Sequence, residues 1–313
     1  MKKPIPLREL FGAREKAGIL ALGATDASAF VHDAAILKAW TDLGANGDMA
    51  YLARDADRRA SPESLLKGAK SVLTAFVPYL PPPKPAPKGF GEIAAFAAPP
   101  DYHAAVTEKL KMIADALKEL DPSSESVIAV DSAPILERAA SRRSGLGFIG
   151  KNRCLIVPGS GSFGNIGIII TSSRIETIFA ERPSQPGLNC GSCRACIDAC
   201  PAGALSETGF DARLCVAYLT IERKGVIPDD LARRFGARVF GCDACQTACP
   251  HNAERMRAAE ADDCSANFLR VNLAEALAMT ADDFSARYAN TTIYRTGHER
   301  FLRNCAIAAR NCG

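Results

Sequence analysis

The cysteines limit what this chain can fold into more than any other feature. Cys190-x2-Cys193-x2-Cys196-x3-Cys200-Pro201 is followed by Cys215 and, after 26 intervening residues, by Cys242-x2-Cys245-x3-Cys249-Pro250. Thiolates at offsets 0, 3 and 6 converge on three corners of a cube only where the backbone curls around it, and the proline after each last cysteine turns the chain away. The second set keeps the ending of the first, with its leading cysteine displaced by an insertion. Crossing the fourth ligands predicts one 4Fe–4S cluster on Cys190, Cys193, Cys196 and Cys249 and another on Cys200, Cys215, Cys242 and Cys245. Two tetrahedral zinc sites are the alternative, but zinc knuckles rarely repeat this run with its prolines. Cys154, Cys264, Cys305 and Cys312 have no ligand spacing and are expected as small core residues or incidental thiols.

The rest of the composition narrows the setting. At 313 residues, 48% of them apolar, the chain has room for about two domains with sizeable cores. Its 38 basic and 35 acidic residues leave a formal charge of +3, so bulk charge announces no nucleic-acid partner. No apolar run approaches the ~20 residues that cross a bilayer. The opening MKKPIPLREL has neither an apolar h-region nor twin arginines. A cytoplasmic protein with no membrane association is expected, and in that compartment dense cysteines read as metal ligands rather than disulfides.

Along the chain, residues 7–24 read as a helix running into an apolar stretch, and a second helical pattern covers about Ala27 to Leu43. SVLTAFVPYL (71–80) reads as a buried strand leading to a proline cluster, Pro78 to Pro87, expected as a surface loop or lid. Residues 101–120 form an amphipathic helix with Val106, Leu110, Ile113 and Leu117 on one face. VIAVD (127–131) is a strand before a helix reaching about Ser144, and CLIVP (154–158) and IGIIIT (166–171) are further strands. This alternation predicts an α/β or α+β domain over 1–180, then a two-cluster segment over 181–255 and a helical segment over 256–313. On residues alone, Asp131 or Ser132 is a helix N-cap candidate.

No GxxxxGK[ST] occurs, which excludes a P-loop, and GLGFIGK (145–151) starts at a helix end rather than after a strand, against a Rossmann fingerprint. A large segment nevertheless precedes the cysteines and needs a reason to receive electrons. From about Gly47 to Gly313 the chain resembles the epoxyqueuosine reductase family of cobalamin-dependent tRNA-modification enzymes. The resemblance rests on the order and spacing of GDMAYLARDADRRASPESLL (47–66), DYH (101–103), VDSAPILERAASRRSGLGFIGKN (130–152), CVAYLTIERKG (215–225), GCDACQTACPHN (241–252) and LRNCAIAARN (302–311).

The resemblance implies a reductive-dehalogenase-like cobalamin domain, a ferredoxin-like two-cluster domain and a C-terminal helical HEAT-like part. It implies reduction of the epoxide of epoxyqueuosine in the tRNA anticodon loop, with electrons from a low-potential donor passing through both clusters to cobalamin. In VDSAPxxER, Asp131 is implied as the proton donor over cobalt, and burial beside the corrin face would hold its proton near neutral pH. Arg59, Lys151, Asn152, Ala217, Asp243 and Gln246 are the implied cobalamin contacts, together with Asp131. Arg142, Arg143, Arg223 and Lys224 are the candidates for tRNA phosphates, with Arg295, Arg300, Arg303 and Arg310 further along. Asp101-Tyr102-His103 starts like DxHxxG but has Val106 in place of its glycine, so a cobalt without a histidine ligand is expected. A monomer is expected. A corrinoid reductase of another substrate and a non-catalytic electron carrier are the competing readings.

Overall fold

The structure, a computed structural model, describes residues 3–82, 85–176, 189–259 and 266–312. Two compact units share the chain, and neither is continuous. One takes Met1–Leu43, Tyr51–Tyr79 and His103–Gly191; the other takes Gly44–Ala50, Leu80–Tyr102 and Ser192–Gly313. The expected boundary near residue 180 and Cys264 both fall outside the described residues.

The first unit is built on a four-stranded sheet in the order Ala21–Asp26, Ser71–Pro78, Gly164–Thr171, Ser126–Ala129. Every pairing is antiparallel, which makes the unit α+β. The central strand Ser71–Pro78 is buried from Ser71 through Val77, as an apolar run without polar alternation requires. Side chains alternate between the two faces. On one face, Val72, Ala129, Ile168 and Ile170 pack with Ile135, Ala139 and Ala140, of which the last two lie on the helix Glu137–Arg143. On the other, the amphipathic helix Tyr102–Leu120 buries Val106, Leu110, Ile113 and Leu117. It comes so near the sheet at Gly167 that a Cβ there would stand 2.7 Å from Leu110 Cδ1.

The expected helix over 7–24 is only partly present. A 3-10 turn Leu7–Leu10 and a helix Phe11–Lys16 give way to the edge strand Ala21–Asp26. Tertiary pairing with Ser71–Pro78, in the register Leu22↔Ala75, overrides the helical pattern of those six residues. The second helix runs Val31–Asp42, and the one expected to reach Ser144 runs Glu137–Arg143.

In the second unit the strand Phe90–Ile93 pairs in parallel with Arg238–Phe240 and antiparallel with Arg270–Asn272. The helix His298–Cys312 packs on this sheet, burying Phe301, Cys305, Ile307 and Ala308. Phe301 also meets Phe284 and Tyr288 at ring distances of 5.4 and 5.0 Å. The strand Arg270–Asn272 lies in the segment expected to be helical throughout.

The LRNCAIAARN segment is a set of donors for backbone carbonyls. Arg303 donates to the carbonyls of Leu219, Arg223 and Gly225 at 2.9, 2.9 and 2.7 Å, and Arg300 donates to Ile221 O at 2.8 Å. Leu219 and Ile221 offer carbonyls left open at the end of the short helix Val216–Ile221, and those of Arg223 and Gly225 lie just beyond it. Their arginines, expected to face phosphates, are spent inside the fold. Fully buried Asn304 donates to Thr220 O at 2.8 Å and Val239 O at 2.9 Å. Replacing Asn304 with alanine should cost about 2–4 kcal/mol, because two buried carbonyls lose their donor. The expected outcome is a clearly lower thermal unfolding midpoint with the far-ultraviolet circular dichroism unchanged at low temperature.

Candidate active site and metal centres

The two cysteine runs fold alike. Ala195–Asp198 and Ala244–Thr247 are four-residue helices that pack on each other. Each is entered from a residue with nearly the same backbone angles, Arg194 (φ −121°, ψ 1°) and Asp243 (φ −101°, ψ 1°). Each closes on its last cysteine in the same way: Cys200 N–H donates to Ile197 O at 3.2 Å and Cys249 N–H to Gln246 O at 3.1 Å. Cys196 and Cys249 are buried. Within the second unit, the charges of Cys200 and Cys215 act on each other, as do those of Cys215 and Cys242.

Cys215 and Cys242 each precede a short helix and accept its first N–H groups, from Ala217 and Tyr218 in one case and from Ala244 in the other. Burial pushes the Cys215 thiol up and the Cys242 thiol to about 11. A thiol desolvated this far keeps its proton near neutral pH unless a metal displaces it, and its N–H donors would then serve the thiolate. The Ala217 N–H thus reaches the Cys215 sulfur. Asp243 and Gln246, next to Cys242 and Cys245 in sequence, are buried. The Gly47-Asp48 turn is built for the same helix. Gly47 (φ +57°) lies against the Tyr218 phenol, where a Cβ would approach its oxygen too closely, and Asp48 N–H donates to that oxygen at 2.7 Å.

In the first unit, the hairpin Phe148–Ile149/Leu155–Ile156 carries the Lys151-Asn152 turn. Lys151 N–H donates to Cys190 Sγ at 3.4 Å. Asn152 is buried, and its Oδ1 accepts from Cys154 N–H at 3.1 Å.

Asp131, two residues past the strand Ser126–Ala129, takes a left-handed conformation, φ +58°, which for a residue other than glycine costs roughly 1–2 kcal/mol. Its carboxylate stands out of the fold, with its side chain 60% exposed, and lies 3.3 Å from His103 Nε2. Among the described residues no protein segment buries the Asp131 side chain. The more shielded acid is half-buried Glu137: its Oε1 accepts from Asp131 N–H at 2.6 Å, and its pKa is raised to about 8, first by burial and then by the Asp131 charge. His103 and Glu137 were not singled out for this role from sequence. The signal was present, since both lie in the quoted segments DYH and VDSAPILER.

Several candidate residues carry buried polar atoms without a protein partner: Arg59 Nε, Asn152 Nδ2 and Asp243 Oδ1. The other Asp243 oxygen accepts from Ala95 N–H at 2.8 Å. An orphaned buried donor or acceptor is costly unless a ligand or water completes it, so Arg59 and Asn152 in the first unit and Asp243 in the second each present an atom suited to a polar ligand. The basic candidates are differently placed. Arg142 is paired with Asp33 at 2.9 Å, and Arg223 with Asp48 at 3.1 Å. Arg143 stacks on Phe30 at 3.9 Å and donates to Thr25 Oγ1, Asp26 O and Ser28 O. Lys224 has an exposed side chain. Among the described residues no helix is long and apolar enough to cross a membrane.

If each cysteine set holds one cubane, anaerobic reconstitution should load about eight iron atoms per chain. Cys193→Ala and Cys242→Ala should each lose about half of that iron, from different clusters, as resolved by electron paramagnetic resonance of the reduced forms. Stoichiometric zinc with no iron would reject the assignment.

Comparison with known proteins supplies the family. Residues 189–252 match the family described as a 4Fe-4S double cluster binding domain, and residues 59–132 match epoxyqueuosine reductase QueG, DUF1730. The epoxyqueuosine reductase of Xanthomonas campestris pv. campestris is 37% identical over 294 residues, which cover 89% of this chain and 79% of that protein. The Escherichia coli K12 enzyme is 35% identical over 286 residues, covering 88% and 73%. A crystal structure of epoxyqueuosine reductase with an epoxyqueuosine-modified tRNA-Tyr stem loop superposes with a TM-score of 0.86 at 28% identity, covering 97% of this chain and 81% of that one. The Bacillus subtilis enzyme, with its catalytic aspartate loop swung out of the active site, superposes with a TM-score of 0.85 at 27% identity, covering 97% and 81%. A chain that shares more than a third of its residues with such an enzyme across most of both lengths belongs to the epoxyqueuosine reductase family.

Proposed function

We propose that this chain reduces the epoxide of epoxyqueuosine at the tRNA wobble position to the cyclopentene of queuosine, consuming two electrons and two protons and releasing water. The observation that carries the reading is Asp131: an exposed carboxyl on a latched left-handed turn, in a chain of this family that also holds eight cysteines in two cluster-type runs. Those cysteines hold two 4Fe–4S clusters that relay electrons from a low-potential donor. The unpartnered atoms of Arg59, Asn152 and Asp243 support cobalamin as the second cofactor, with Lys151, Ala217 and Gln246 as further candidate contacts. Cobalamin, when bound, supplies reduced cobalt to the epoxide carbon.

The protein's own part is to place the substrate and move protons. Asp131 gives a proton to the oxygen that leaves carbon, acting as a general acid, with His103 beside it to orient its carboxyl. The wobble base belongs to a single-stranded loop whose nucleotides can be splayed into a pocket. Lys224, Arg142 and Arg223 would hold phosphates without reading sequence, whereas Arg143 is committed to its contacts within the first unit. We assign the enzyme to the cytoplasm as a monomer.

Cluster- and cobalamin-loaded protein with a low-potential reductant should convert epoxyqueuosine in an anticodon stem-loop to queuosine, read as the mass loss of one oxygen. An unchanged stem-loop, with clusters and cobalt demonstrably reduced, would overturn the substrate. Asp131→Asn should keep both cofactors and lose about 10²–10⁴-fold in turnover.

A further inference from the structure

Among the described residues only two that are not glycine adopt a positive φ, Asp131 (+58°) and Arg153 (+66°). Both are held by adjacent side chains at the start of the helix Glu137–Arg143. Glu137 Oε1 accepts the Asp131 N–H at 2.6 Å, and Arg138 Nη1 donates to Arg153 O at 2.6 Å. One dipeptide therefore grips the acid loop on one side and the Lys151-Asn152 turn on the other. The helix beneath it is anchored: Ala139 and Ala140 are buried against the sheet, and Leu136 N–H is bonded to Arg59 O at 3.1 Å.

A backbone bond alone could have been supplied by any acceptor. A carboxyl at this position has a second consequence, because it brings a titrating group beside the Asp131 charge. We propose that Glu137 is a positioning residue for Asp131, whose carboxyl latches the acid's left-handed turn through the Asp131 N–H and sets a second carboxyl beside it.

Three charged groups act on Glu137. Asp131 disfavours its ionisation, while Arg138 on its own helix and His103 on the helix Tyr102–Leu120 favour it. Burial outweighs the two cations, and the carboxyl releases its proton only at about 8. The loop thus keeps a proton at a pH where a lone exposed aspartate has lost its own. A latch of this kind also gives the acid loop two states, held and released; in the Bacillus subtilis relative the catalytic aspartate loop is seen swung out.

The inference rests on the proposed reaction, and the test separates the two. Wild-type, Glu137→Gln and Glu137→Ala proteins, loaded with clusters and cobalamin, are compared in single-turnover reduction of the stem-loop across pH. Glutamine keeps an acceptor for the Asp131 N–H but no proton, and alanine keeps neither. Glu137→Gln should retain stem-loop affinity, and its alkaline limb should move more than one pH unit to the acid side. Its rate should recover to near wild type at low pH. Glu137→Ala should be slower by about 10²-fold at every pH, the scale of a misplaced catalytic group.

Two readouts do not depend on turnover. Amide exchange across residues 130–136 of the full chain should accelerate at least tenfold in Glu137→Ala and stay unchanged in Glu137→Gln. The infrared carbonyl band of a protonated carboxyl at neutral pH should vanish in Glu137→Gln. A wild-type alkaline limb in Glu137→Gln, or wild-type exchange in Glu137→Ala, would overturn the inference while the reaction stands. A wild-type protein that leaves the epoxide intact would overturn the reaction, and the exchange and infrared results would still decide the latch.

Discussion

Much of the chemistry in this protein sits on helices too short to satisfy their own ends. A helix of four to six residues, such as Ala195–Asp198, Ala244–Thr247 or Val216–Ile221, leaves nearly all of its terminal N–H and C=O groups open. Buried backbone groups must find partners, so the second unit depends on side-chain donors and sulfur acceptors that close them. Cys215 and Cys242 take N–H groups at helix starts; Arg300, Arg303 and Asn252 take carbonyls at or beyond helix ends.

The first unit solves a different problem. Its antiparallel sheet, covered on both faces, supplies a firm base from which two short loops leave in left-handed conformations. Each such residue is paid for by a specific side chain, and the two side chains are neighbours, Glu137 and Arg138. Burying a carboxyl among apolar neighbours ordinarily destabilises a fold by disfavouring its charge. Here the half-buried carboxyl is Glu137, whose oxygen holds the Asp131 turn and whose proton stays on up to about 8.

The family segments acquire physical roles in this light. GDM is a turn that must lack a Cβ where it meets Tyr218, and its aspartate then receives Arg223 and the Lys224 N–H. VDSAPILER places an acid and its latch six residues apart across a loop closed by buried Ile135. LRNCAIAARN ties the C-terminal helix to the ends of three other elements through Arg303, Asn304 and Asn311. Arginines that read as a basic surface are in this segment internal hydrogen-bond donors. Arginine spacing alone does not distinguish the two, since five donors can serve carbonyls as well as phosphates.

The sequence by itself determined the cysteine runs, the central buried strand and the amphipathic helix Tyr102–Leu120, because each depends on local spacing: offsets of three for a cubane, an unbroken apolar run, and a period of 3.6. It also marked Asp131 through its motif. It did not reveal the edge strand Ala21–Asp26, whose form is set by pairing with residues some fifty positions away, nor the strand Phe90–Ile93 beside the proline cluster, which joins partners from two distant segments. Only the tertiary structure decided that Asp131 is exposed while Glu137 is half-buried against it, and that Arg143 is engaged within the fold and Lys224 faces outward. Burial and charge at a side chain depend on what other segments bring against it, and that information is not carried by the neighbours in sequence.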